Sequence, residues 1–198
     1  MKCIRSPAQV HQETQIIRPT ARIREMKMRN IRPLLAVNLV LAIGAVCAAG
    51  QQLQPYSSTD GRFSVSFPKG EIKTNTDPIP FKDGTKGTMY EFTVELDGGN
   101  VAYIVMYNDY PPDKANDGSD AVLARTRDGA VGSKTLVSDM AINLNGVPGR
   151  EFTTKDDKWN YTVRQFLKGY RLYQLIVVCD SDHPATQTSE FMDSFKIN

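Results

Sequence analysis

Two strand-length runs, Val101-Ala102-Tyr103-Ile104-Val105-Met106-Tyr107 and Leu172-Tyr173-Gln174-Leu175-Ile176-Val177-Val178-Cys179, are almost continuously apolar. Side chains alternate between the two faces of a strand, so each run puts apolar groups on both, and its sheet must be covered on both sides. Each run is half of a hairpin pattern. Tyr90, Phe92, Val94 and Leu96 alternate with Glu91, Thr93 and Glu95 ahead of the loop Asp97-Gly98-Gly99-Asn100. Trp159 to Leu167 leads into a turn at Lys168-Gly169-Tyr170. Hairpins make antiparallel neighbours, so these residues require a mainly antiparallel sheet with helices on both sides or a second layer.

Further strands and two helices complete the pattern. Phe63-Ser64-Val65-Ser66-Phe67 alternates and stops at Pro68, which reads as a strand with one buried face. Ala141 to Leu144 enters a turn at Asn145-Gly146-Val147-Pro148-Gly149, and Arg150 to Thr153 leaves it. Val122, Leu123, Thr126, Ala130 and Val131 fall at helical spacing, which predicts a helix over 119–131 with Ser119 or Asp117 as N-cap and Gly132 as stop. Ala185, Thr188, Phe191, Met192 and Phe195 form a second stripe, which predicts a helix over 184–195 with Pro184 near N1 and Ser181 or Asp182 near the cap. Asp-Gly pairs at 60, 83, 97, 117 and 128 are expected turns. Asn108 to Gly118 is the longest expected loop. The class is α/β, with a mainly antiparallel sheet between helical layers.

The first fifty residues do not share this pattern. Residues 1–32 carry eight Lys and Arg against two Glu, a net of +6, while the remaining 166 carry 16 basic and 20 acidic residues, a net of −4. An apolar run from Pro33 to Ala49 follows the basic segment. A basic region, a short apolar stretch and small residues at its end make a secretory signal, with cleavage expected near Ala48 or Ala49. Residues 1–49 therefore read as an extension plus signal peptide, with the initiating residue at Met1, Met26 or Met28, and 50–198 as one domain. The membrane enters only through this segment if it is not cleaved; Cys47 leaves lipidation open. Export places the domain in the periplasm or outside the cell. Once the leader is removed with Cys47, Cys179 is the remaining cysteine and no internal disulfide can form. The net-acidic domain argues against nucleic acid as a partner.

Catalytic residue types are sparse, and no catalytic residue is assigned. His183 is the one histidine after the leader, so a hydrolase would have to centre on it. Asp180, Asp182 and His183 are the candidate metal ligands, since carboxylate and imidazole suit divalent ions; a helix N-terminal turn explains the same acids. Cys179 ends an apolar strand and reads as a small hydrophobe. The Asp109–Asp120 segment lacks the ligand spacing of an EF-hand, with Ala115 and Ala124 at ligand positions. Arg150, Arg164, Arg171 and Trp159 are the candidate binding residues, for an anion or a protein; a solvated sheet edge with paired charges is the plainer reading. Asn160-Tyr161-Thr162 matches a glycosylation sequon. No cofactor is implied.

Four stretches carry a family likeness. Asp60-Gly61-Arg62-Phe63-Ser64-Val65-Ser66-Phe67-Pro68 resembles the opening strand of secreted PsbP-like domains, the photosystem II extrinsic-subunit superfamily. Gly146 to Phe152, Phe166 to Leu175 and Phe191 to Lys196 are similar to the later strands and closing helix of uncharacterised bacterial secreted members. The resemblance spans roughly Tyr56 to Ile197 and implies an α/β/α sandwich and a secreted habit. Its motifs are turn glycines and core aromatics, so no functional residue is implied. The expected role is a non-enzymatic domain that binds a protein partner or assists assembly at the cell envelope. The alternatives are a small-molecule or divalent-metal binder and a hydrolase using His183.

Overall fold

The computed structural model describes residues 52–80, 86–111 and 117–198. The leader, with Met26, Met28 and Cys47, lies outside the described residues, as do Asp83-Gly84 and residues 112–116 of the long loop. In chain order the elements are β1 (Leu53–Ser58), β2 (Phe63–Pro68), β3 (Lys73–Pro80), β4 (Lys86–Leu96), a 3-10 turn (Asp97–Gly99), β5 (Val101–Asp109), α1 (Ser119–Val131), β6 (Thr135–Leu144), β7 (Val147–Lys155), β8 (Trp159–Lys168), β9 (Arg171–Asp180), α2 (Thr188–Asp193) and β10 (Lys196–Ile197).

The strands form two antiparallel sheets. The larger runs β3-β4-β5-β9-β8-β7-β6, and the smaller runs β1-β2-β10. The two doubly apolar runs sit side by side in the middle, with Val105 opposite Leu175 and Ile104 opposite Ile176. On one face Val94, Val105, Tyr103, Tyr173, Leu175 and Phe166 pack against Phe63, Val65 and Phe67 of β2 and Phe191 and Met192 of α2. Phe63 and Phe67 are fully buried, a contribution of roughly 2–3 kcal/mol each. On the other face Ile104, Ile176, Phe152 and Val163 form a second cluster, and Val122 and Leu123 of α1 meet Leu167 and Leu172 in a third.

The fold is thus mostly antiparallel sheet with few helices. One covering layer is a small sheet bearing a six-residue helix, not a full helical layer. The expected helix over 184–195 shrinks to Thr188–Asp193 for a visible reason. The His183 N–H closes a turn on the Asp180 carbonyl, and the Gln187 N–H is taken by the Tyr103 hydroxyl at 3.2 Å, so the chain is pinned outside helical geometry until Thr188. Helix α1 has the expected bounds, but its N-cap is Gly118 with no side-chain cap. Asp128-Gly129, expected as a turn, lies in the last turn of α1, because Val131 and Ala130 still face the sheet cluster and hold the helix on to Gly132. The Asn145-Gly146 turn is tighter than expected: both residues have positive φ, and Val147 to Gly149 already belong to β7.

Helix α1 crosses β7 and β8. The buried Gln165 amide donates to the Leu123 carbonyl at 2.6 Å and so fastens the helix to the sheet from within. Among the described residues, the order of strands leaves β3 and β6 as the edges of the larger sheet.

Candidate functional site

The structure does not bring Arg150, Arg164, Arg171 and Trp159 together. In β7, Arg150 pairs in register with Gln165, and both lie on the α1 face. Its guanidinium grips Asp139 of β6 with two hydrogen bonds, Nε to Oδ1 at 2.6 Å and Nη2 to Oδ2 at 2.9 Å. Arg127 of α1 holds the same carboxylate. Bidentate pairing of this kind is the stronger form of ion pair. It ties α1, β6 and β7 at one point. The hydrogen bond from Arg150, opposed by partial burial and helped by the Arg127 charge, holds the Asp139 carboxyl below the usual carboxylate range.

Arg164 is one position along the neighbouring strand and so points to the opposite face. There it pairs with Glu151 and with Asp193 at the end of α2, the latter at 2.6 Å. Arg171 begins β9. It donates Nε and Nη2 to Asp109 at 2.6 and 2.7 Å and Nη1 to the Asp60 carbonyl at 2.6 Å. It also lies 4.8 Å over the Tyr107 ring, which stacks on Tyr90 at 4.7 Å. These hydrogen bonds hold the Asp109 carboxyl down and push Arg171 up. Trp159 starts β8 opposite Asp180, whereas Arg171 lies opposite Lys168, so the two stand about 30 Å apart at opposite ends of one strand pair. Lys158 lies 4.7 Å over the Trp159 ring. Each of the three arginines has a carboxylate partner, and the four candidates occupy four separate places.

Asp180, Asp182 and His183 form a closed turn. The Asp182 N–H donates to the Asp180 carboxylate at 3.0 Å, and Lys158 approaches its other oxygen at 3.6 Å. The Asp182 N–H, opposed by slight desolvation and helped by Lys158, keeps the Asp180 carboxyl below the usual range. His183 Nδ1 stands 3.8 Å from Asp180. Among the described residues no group of three His, Cys, Asp or Glu side chains is placed to hold a metal ion. The nearest hydroxyl in sequence, Ser181, donates to the Lys158 carbonyl at 3.1 Å. Cys179 is a free, half-buried thiol packed against the first core cluster.

The surface that the residue-by-residue reading missed is the edge strand β6. Leu136, Val137 and Met140 are 41%, 60% and 53% exposed, and they are three of the five large apolar side chains exposed among the described residues. The register slips at Val137, where a bulge separates Leu136 from Ser138, and runs unbroken from Ser138 to Leu144. Over that stretch Asp139 is the one charged residue, and two arginines neutralise it. Alternation was visible in the sequence from Ala141 onward. The clue overlooked was that Leu136, Val137 and Met140 continue the strand with no lysine or proline to guard it.

Among solved structures, the cyanobacterial PsbP of Synechocystis sp. PCC 6803 matches with a TM-score of 0.50 at 16% identity, covering 79% of this chain and 99% of that one. The chain has a PsbP-like fold. A Bacteroides thetaiotaomicron crystal structure matches with a TM-score of 0.37 at 11% identity, covering 73% of this chain and 48% of that one. A Pseudomonas aeruginosa protein of unknown function matches with a TM-score of 0.29 at 8% identity over 66% and 84% of the two chains. No family model matches the chain, and no curated protein matches it. Among the described residues no helix is long and apolar enough to cross a membrane.

Proposed function

We propose that this chain is an exported, non-enzymatic binding module of the PsbP-like α/β/α type that docks a protein partner along β6 at the cell envelope. Export rests on the leader, with its +6 basic segment and apolar run. Docking rests on the β6 edge. A free edge strand offers a row of backbone donors and acceptors, and exposed apolar side chains beside it add buried area when another strand pairs there. The sandwich reading assigns α1 to one layer and α2 with the small sheet to the other.

A photocrosslinking side chain placed at Met140 in the full chain, expressed in an exporting host, tests this reading. The expected result is a discrete protein adduct in the envelope fraction, with none from the same side chain at Thr76 on β3. Retention of the protein in the cytoplasm, or no adduct at Met140, would overturn it.

A further inference from the structure

We infer that the partner at β6 is a second copy of this chain, paired antiparallel about a two-fold axis normal to the sheet, so that two seven-stranded sheets join edge to edge. This rests on the reading of β6 as the docking edge and names its occupant. The argument comes from charge and register. An axis normal to the sheet keeps each face on its own side, so residues of one face meet residues of the same face in the other copy. Centred on Met140, the pairing sets Met140 against itself, Ser138 against Ile142, and Asp139 against Ala141. All of these belong to the stretch whose register with β7 is unbroken.

No like charges meet in that arrangement. Asp139 faces alanine, and its charge is already neutralised by Arg127 and Arg150, so neither copy repels the other along the seam. Most charged partner strands would find nothing to pair with there. The bulge at Val137 bends only the start of β6 and leaves seven consecutive residues regular. Helix α1 lies over β7 and β8, so it does not cover the seam. The opposite edge is guarded against such pairing, because Pro78 and Pro80 lack the N–H that a new ladder needs and Lys73 and Asp77 bring charges to the rest of the strand.

The test is analytical ultracentrifugation of the purified protein with two opposite-charge variants. Wild type is expected to sediment as a dimer at tens of micromolar. Met140→Lys and Met140→Glu each set like charges across the axis, and each should weaken the dimer about tenfold or more. Mixing the two variants should restore it, because lysine then faces glutamate. That rescue also shows that neither variant is misfolded. A monomeric wild type, or single variants that dimerise as well as wild type, would overturn the inference. If the wild type is monomeric while a crosslinker at Met140 captures a different envelope protein, the docking reading stands and self-pairing falls. If Met140 captures nothing, both fall.

Discussion

The two edges of the larger sheet meet the same physical problem in opposite ways. β3 is closed by its own sequence: Pro78 and Pro80 remove backbone donors, Lys73 pairs with Glu95 at 2.6 Å, and the Asn75 amide donates to Asp77 at 2.6 Å. Prolines and charges are the usual guards of an unpaired strand. β6 has neither over Ser138–Leu144 except Asp139, and that carboxylate is turned inward onto two arginines. An edge that spends its one charge on internal anchoring and leaves Met140 to solvent is built to be held firmly and covered from outside.

Substitutions can break this contrast in graded steps. Asp139→Ala is expected to have the largest effect. It leaves Arg127 and Arg150 half-buried without their shared acid and should cost roughly 3 kcal/mol in chemical denaturation. It should also make β6 the first strand to lose hydrogen-exchange protection. Gly149→Ala tests the strand that carries β6. A Cβ there meets the Phe166 ring and the Gln165 carbonyl at 2.7 Å, so overpacking of about 2 kcal/mol is expected. Met140→Lys should weaken association about tenfold, read by ultracentrifugation, and leave the unfolding midpoint unchanged at concentrations too low for the dimer to form. Lys73→Ala on the closed edge removes an exposed pair and should shift stability by less than about 1 kcal/mol.

The pH dependence has a definite sign. The Asp139 and Asp109 carboxyls are held down in the folded state, chiefly by hydrogen bonds from Arg150 and Arg171. Their contribution is therefore complete above the ordinary carboxylate value of about 4 and is lost as pH falls through the lower folded values. Acid titration of the unfolding free energy should show this loss, and Asp139→Asn should flatten part of it.

Much of the fold was legible because periodicity reports burial directly. The doubly apolar runs became the central pair β5 and β9, and the stripe from Val122 to Val131 became α1. Weakly buried strands were harder to read. β1, β3 and the first half of β6 bury few side chains, so alternation, which is a burial signal, is faint there. The stripe from Ala185 to Phe195 shows the converse. Its residues are apolar because they face the core, yet the Tyr103 hydroxyl captures the Gln187 amide and shortens the helix. The candidate residues were individually visible as Arg and Trp, but their dispersal was not, because sequence proximity does not say which face of a sheet a residue occupies. Asp139 escaped notice for the same reason: its two arginines come from positions 127 and 150 and meet only when α1 crosses the sheet.

Hydrogen exchange followed over a concentration series puts the contrast between the edges to its most direct trial. If β6 pairs with a second copy, the amides of 138–144 that point away from β7 gain protection as the protein is concentrated, while those of 73–80 exchange at an unchanged rate. Unchanged exchange over 138–144 in a sample that ultracentrifugation shows to be associated, or protection rising over 73–80 instead, would contradict it.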